Sequence, residues 1–140
     1  MQIEIIEPDP AADTSLFDKI SEGVFIEENK SVQFLNIIFL ERDALRSLKN
    51  EYFGQDVYTD VIAFNLNEAD EALEGEVYLS YEQIRKNATQ YNTEIQDELH
   101  RVLIHGCLHL CGYDDGTTVQ KQRMTELENI HLSKIKSGQS

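Results

Sequence analysis

The sequence predicts an α+β fold, a mixed four-stranded β-sheet flanked by helices, and three observations carry that reading. Four short stretches, near residues 2–7, 32–41, 60–66 and 75–80, are rich in Ile, Val, Phe and Leu and bounded by turn residues, as strands are. The segments between and after them place apolar residues at the three-to-four spacing of a helix with one buried face. The chain has 140 residues, 41% hydrophobic and 27% charged, which suffices for a real core without disulfide or metal staples. No internal repeat or linker interrupts it, so residues 1–140 are expected to form a single domain.

Taken in order, Gln2–Glu7 places Ile3, Ile5 and Ile6 in a first strand closed by Pro8 and Pro10. Asp13 or Thr14 can cap a helix through Phe17, Ile20 and Val24. Ser31–Glu41 lacks a helical period and reads as a central strand. Asp43 then caps a short amphipathic helix, Ala44 to Tyr52, whose polar side shows Arg46 and Lys49. Thr59–Leu66 is a strand, Asn67–Glu74 an acidic loop without periodicity, and Gly75–Ser80 another strand. Ser80 or Tyr81 opens a helix through Ile84 and Ala88 to Tyr91. Thr93-Glu-Ile-Gln96 has the form of a capping box and launches a helix with a buried stripe of Ile95, Leu99, Val102, Leu103 and Leu110. Thr117 or Thr118 caps a last helix with Met124, Leu127, Ile130 and Leu132, followed by a frayed tail from Ser137 to Ser140.

Charge and cysteine usage narrow the function classes. Two cysteines four apart on one helix make no disulfide framework, which fits a reducing compartment. The first residues carry no basic leader, and no stretch approaches the ~18–20 apolar residues that span a bilayer, so a cytoplasmic protein without membrane partners is expected. The formal net charge of −14 argues against a general nucleic-acid binder, because phosphate neutralisation needs Lys and Arg. Action on RNA then requires a local basic patch or a partner that brings the substrate.

The chemistry concentrates in His105-Gly-Cys-Leu-His109-Leu-Cys-Gly112-Tyr-Asp-Asp115. On a helix the two histidines lie about 40° and about 6 Å apart on one face, so each can turn a nitrogen toward one ion. Gly112 can take the left-handed conformation that ends a helix, and the reversal can carry Asp114 or Asp115 back to the histidines. Two histidines and a carboxylate leave an open coordination position, the pattern of a catalytic rather than a closed structural metal. The alternative, two packed or surface histidines, is disfavoured because three of the four histidines fall at 100, 105 and 109 with a turn glycine and two carboxylates after them. Cys107 and Cys111 face the other side of the helix and read as small buried apolar residues. Gly106 occupies the position where zinc peptidases carry a glutamate base, which disfavours peptide hydrolysis and suggests close backbone approach or room for a bulky substrate. Glu98 and Arg101 lie on the turns before His105, close to its face.

The motif resembles the signature His-Gly-x-Leu-His-Leu-x-Gly-Tyr-Asp-His of the YbeY family, metal-dependent endoribonucleases of ribosomal RNA maturation. Thr59-Asp-Val-Ile-Ala-Phe64 is similar to that family's Thr-Asp-Val-Leu-Ser-Phe, and Gly75-Glu-Val-Tyr-Leu-Ser80 to its Gly-Asp-Ile-x-Ile-Ser. The resemblance spans most of the chain. It implies a zincin-like domain, with one zinc ion on the His-x-x-x-His helix held by His105, His109 and a third ligand at position 115. There the family has histidine and this chain has aspartate, a change that opens the site to iron or manganese as well. It further implies a metal-dependent hydrolase that cuts single-stranded RNA in 3′-end maturation of small-subunit (16S) rRNA and in ribosome assembly and quality control. The expected partners are ribosomal RNA and the small ribosomal subunit or a protein associated with it. Asp114 and Glu98 are the candidate general bases, and Arg101 is a candidate phosphate contact. Phe53 stands where the family usually has an arginine facing the substrate phosphate, and Tyr58 and Asn65 stand where prolines are usual. The competing readings are an assembly factor with a structural metal, a metallohydrolase of another substrate, and a non-haem iron oxygenase, for which the chain lacks the many strands.

Overall fold

Four strands and five helices make up the computed structural model, which describes residues 1–68 and 71–138. The elements in order are β1 (Gln2–Ile6), α1 (Phe17–Glu27), β2 (Val32–Phe39), α2 (Arg42–Phe53), β3 (Val61–Asn65), β4 (Leu73–Leu79), α3 (Tyr81–Tyr91), α4 (Ile95–Leu110) and α5 (Thr118–Lys136). The sheet order is β1-β2-β4-β3, with β1, β2 and β4 parallel and β3 antiparallel to β4. The α+β class and the mixed four-stranded sheet expected from the sequence are therefore present.

The period-2 geometry of strands sorts their side chains between two faces. Leu35, Ile37 and Phe39 of β2, with Leu73, Val77 and Leu79 of β4, are buried in the core, where Phe17 of α1 stacks on Phe39 with ring centroids 6.1 Å apart. Helix α4 lies against this layer, touching β3, β4 and helices α1, α3 and α5. Its fit to the sheet is set by two glycines. A Cβ on Gly106 would stand 3.0 Å from Val77 Cγ1 and 3.2 Å from Val61 Cγ2, and one on Gly75 would stand 2.8 Å from Leu110 Cδ1. Each glycine thus accepts a bulky side chain from the opposite layer, and close approach is the structural role of Gly106.

Several local expectations are corrected. Helix α1 starts at Phe17 after Leu16 without a side-chain cap, while Asp13 Oδ1 accepts from the Ser15 amide instead. Asp43 lies in the first turn of α2 and accepts from the Tyr58 hydroxyl. The Thr93–Gln96 capping box does not form, because the Thr93 amide closes the end of α3 on the Ala88 carbonyl and α4 begins after Glu94. Ser80 does cap α3, and Thr117 with Gln120 forms a capping box on α5. Strand β4 begins at Leu73, whose amide donates to the Ser31 carbonyl, so the acidic loop is shorter than expected. Ile95 and Ile130 are exposed, and His131 takes a buried place on α5. The expected frayed tail falls partly on residues 139–140, outside the described residues. No described helix is long and apolar enough to cross a membrane.

Candidate metal centre

Helix α4 sets His105 and His109 one turn apart, with ring centroids 4.6 Å apart and Nε2 atoms separated by 3.0 Å. The chain then turns at Gly112, whose φ of +103° lies where a side chain is rarely tolerated. The turn is braced on both sides. The Tyr113 hydroxyl donates to Oε1 of Glu28, the residue that ends α1, at 2.6 Å, and Gln120 Oε1 accepts from the Gly116 and Thr117 amides. Between those braces Asp115 Oδ2 comes to 3.2 Å from His105 Nε2 and 3.5 Å from His109 Nε2.

These three donors form a triangle with edges of 3.0, 3.2 and 3.5 Å. Tetrahedral ligands at the roughly 2.0–2.1 Å of zinc–nitrogen and zinc–oxygen bonds stand about 3.3–3.4 Å from one another. The triangle therefore fits three corners of such a site and leaves the fourth open. Asp114, the other carboxylate of the turn, is exposed and lies away from the cavity described next. Cys107 is buried and Cys111 half-buried; burial pushes both thiols up to about 12, which disfavours them as thiolate ligands.

A cavity of about 340 Å³ opens beside the triangle, lined by His105 and Asp115 together with Asp60, Glu98, Arg101 and Lys121. Burial and the neighbouring Asp60 charge push the Glu98 carboxyl above the ordinary range, against the pull of Arg101. Asp60 is raised by burial too, opposed by the His105 charge, while Asn87 Nδ2 donates to its Oδ2 at 3.0 Å. Arg101 donates from Nη1 to Glu128 Oε1 at 2.9 Å and from Nη2 to Asn129 Oδ1 at 2.8 Å, so both arms of its fork already hold protein groups. Lys121 makes no ion pair among the described residues.

Glu128 is the residue that sequence reading missed. It is 7% exposed, and its Oε2 lies 2.6 Å from His105 Nδ1. Burial draws the His105 imidazole down, but the Glu128 hydrogen bond and the charges of Glu128, Asp115 and Asp60 outweigh it, so the net shift is upward. The only sequence signal for Glu128 was an acid beside Leu127 in the apolar pattern of the last helix. Asp60 and Lys121 gave still less, since each reaches the cavity only through the packing of its element on α4.

The family described as Endoribonuclease YbeY matches residues 5–136. The chain belongs to the YbeY family. An Endoribonuclease YbeY of Christiangramia forsetii is 41% identical over 112 residues, which cover 80% of this chain and 78% of that relative. One from Flavobacterium psychrophilum is 36% identical over 128 residues, with 90% of each chain covered. A solution structure of a Thermotoga maritima protein superposes with a TM-score of 0.65 at 27% identity, covering 98% of this chain and 93% of that one. Two departures from the YbeY pattern now have a place. Asp115 supplies an oxygen at the third corner of the donor triangle. Phe53 stacks on Phe64 at 5.9 Å in an aromatic corner with Tyr52 and Tyr78, where an arginine's charge is absent.

Proposed function

We propose that this chain is a zinc-dependent single-strand endoribonuclease acting in 3′-end maturation of small-subunit (16S) rRNA and in ribosome assembly and quality control. The observation that carries the reading is the donor triangle of His105, His109 and Asp115, open on one side to the cavity. Family membership and the printed names of the relatives support the choice of RNA. Iron and manganese also suit two nitrogens and an oxygen, but the edge lengths suit zinc well.

A bound divalent ion supplies Lewis acidity and an acidified water at the open corner. The chain's own residues supply the rest. Glu98, which lines the cavity and whose carboxyl burial pushes above its ordinary range, can accept the proton of the attacking water on a carboxylate oxygen. It can return that proton to the ribose oxygen that leaves as the phosphorus–oxygen bond breaks. Lys121 lines the cavity and can meet the phosphate, whereas Arg101 spends one N–H of each Nη on Glu128 and Asn129. Asp115 in place of an imidazole lowers the net charge of the site by one, which strengthens retention of a cation.

With a net charge of −14, affinity for the ribosomal particle is assigned to a cytoplasmic partner, either the small subunit or a protein bound to it. The test incubates purified protein with precursor small-subunit rRNA, free and in particles, with and without chelator. Cleavage that needs metal and disappears in His105→Ala is the expected outcome. Binding to particles without cleavage, with His105→Ala still complementing a deletion strain, would replace the enzyme by an assembly factor.

A further inference from the structure

A carboxylate that is nearly inaccessible to water is a poor source of stability, because desolvation offsets most of the Coulombic gain of its ion pair. Glu128 is such a group, and its two oxygens are divided between two partners. Oε1 accepts from Arg101 Nη1 at 2.9 Å and Oε2 faces His105 Nδ1 at 2.6 Å. The second contact is on the far nitrogen of the ring from the donor triangle, so Glu128 is not itself a ligand. Since a carboxylate oxygen accepts there, Nδ1 carries the proton and the lone pair is left on Nε2, the atom that faces His109 and Asp115.

The elements explain why this needs two helices. His105 and Arg101 are four apart on one face of α4, and Glu128 reaches both from α5. Arg101 Nη2 also holds Asn129 Oδ1 at 2.8 Å, so the guanidinium grips two successive residues of α5. The Thr117–Gln120 capping box fixes where α5 begins, just after Asp115.

We propose that Arg101 and Glu128 are positioning residues that hold His105 as its Nδ1–H tautomer with Nε2 aimed at the metal, and thereby set the metal affinity of the site. This rests on the reading of His105 and His109 as ligands and adds to it a role for α5. Outer partners of metal-bound histidines are typically worth 10–100-fold in affinity. Glu128→Ala is therefore expected to weaken zinc binding by about 10–100-fold. Glu128→Gln keeps an acceptor of the same shape without the charge and falls between it and wild type. Arg101→Gln loosens only the tether and gives the smallest loss.

The experiment measures zinc affinity by competition with a chromophoric chelator and reads the His105 tautomer from two-bond nitrogen–proton spectra of the metal-free chains. Thermal unfolding of the same metal-free samples runs beside both. The expected pattern is graded loss of affinity, the Nδ1–H tautomer kept in Glu128→Gln and lost in Glu128→Ala. Equal zinc affinity in all chains overturns the proposal. A loss of affinity that only tracks a loss of thermal stability, with His105 still Nδ1–H in Glu128→Ala, overturns it as well and marks Glu128 as packing. If Glu128→Ala does not fold, the isosteric Glu128→Gln decides on affinity alone. The control is His109→Ala: unchanged zinc content there removes the ligand reading itself, whereas loss there with no effect at Glu128 removes only the positioning role.

Discussion

Helices α2 and α4 are both amphipathic and both carry charged residues on a face one turn repeats, yet they use that face in opposite ways. On α4, Glu98, Arg101, His105 and His109 converge with Asp115 and Glu128 on one concave place. On α2, the cations are spread along the helix and each is taken by a nearby partner. The Arg42 guanidinium lies 3.4 Å from the Tyr58 ring centroid with Nε on Gln83, Arg46 pairs with Asp56 at 2.8 Å, and the Lys49 ammonium stands 4.7 Å from the Phe53 ring centroid. What separates them is enclosure. Helix α4 is packed against the sheet and three other helices, so Arg101 meets a buried Glu128 at low dielectric, while Arg46 of α2 meets an exposed Asp56 that water screens.

The largest test of the contrast is removal of a donor. His105→Ala and His109→Ala should each lose bound zinc and rRNA cleavage by more than the ~100-fold typical of outer partners, read by metal analysis and cleavage assay. Unchanged zinc content in both variants would put the metal elsewhere. Next is the seat of α4: Gly106→Val forces side-chain atoms toward Val77 and Val61, which already stand at 3.0 and 3.2 Å from a bare Cβ. A destabilisation of about 1–3 kcal/mol is expected from denaturant unfolding. Wild-type stability would mean that the helix can slide without cost. Thr117→Ala removes the side-chain half of the α5 capping box, and about 1 kcal/mol should go with it.

The pH dependence sharpens the comparison further. The folded His105 imidazole is raised above the ordinary 6.5. Its contribution to metal-free stability is therefore full below 6.5 and is lost as pH rises through the raised folded value. Zinc affinity must run the other way, weakening as pH falls through the same value, because a protonated Nε2 cannot ligate. His131, lowered by burial and by Lys134, has the opposite stability sign: its contribution is present above 6.5 and lost as pH falls through its lowered value. The His105 part is isolated as the difference between wild type and His105→Ala over that range. A zinc affinity independent of pH would remove the histidines from the site. The smallest effect is expected on the exposed corner, where Arg46→Ala should leave the unfolding midpoint and zinc content at wild-type values. A fall in the salt slope of rRNA binding by about 1 in that variant would instead make α2 part of the RNA surface.

What the sequence determined by itself is whatever one element encodes alone. The strand patterns, the helical period of α4, the four-residue spacing of His105 and His109, and the stop at Gly112 are all local, and the strands lie within two residues of their expected bounds. So is the Thr117 cap, whose partner Gln120 lies within the same turn. Local signals failed where a neighbouring element claimed the same group. Thr93 looked like a cap, but its amide is spent on closing α3. The residues alone left Asp114 and Asp115 open and the family resemblance pointed to position 115; in the tertiary structure the braces at Tyr113 and Gln120 turn Asp115 inward. The tertiary structure alone brought Glu128 to His105 across 23 residues. The physical reason is common to these cases: spacing along one helix fixes directions within it, but a hydrogen bond between two helices depends on how both dock on the sheet, and that is settled by the packing of Gly106, Val61, Val77 and Leu110.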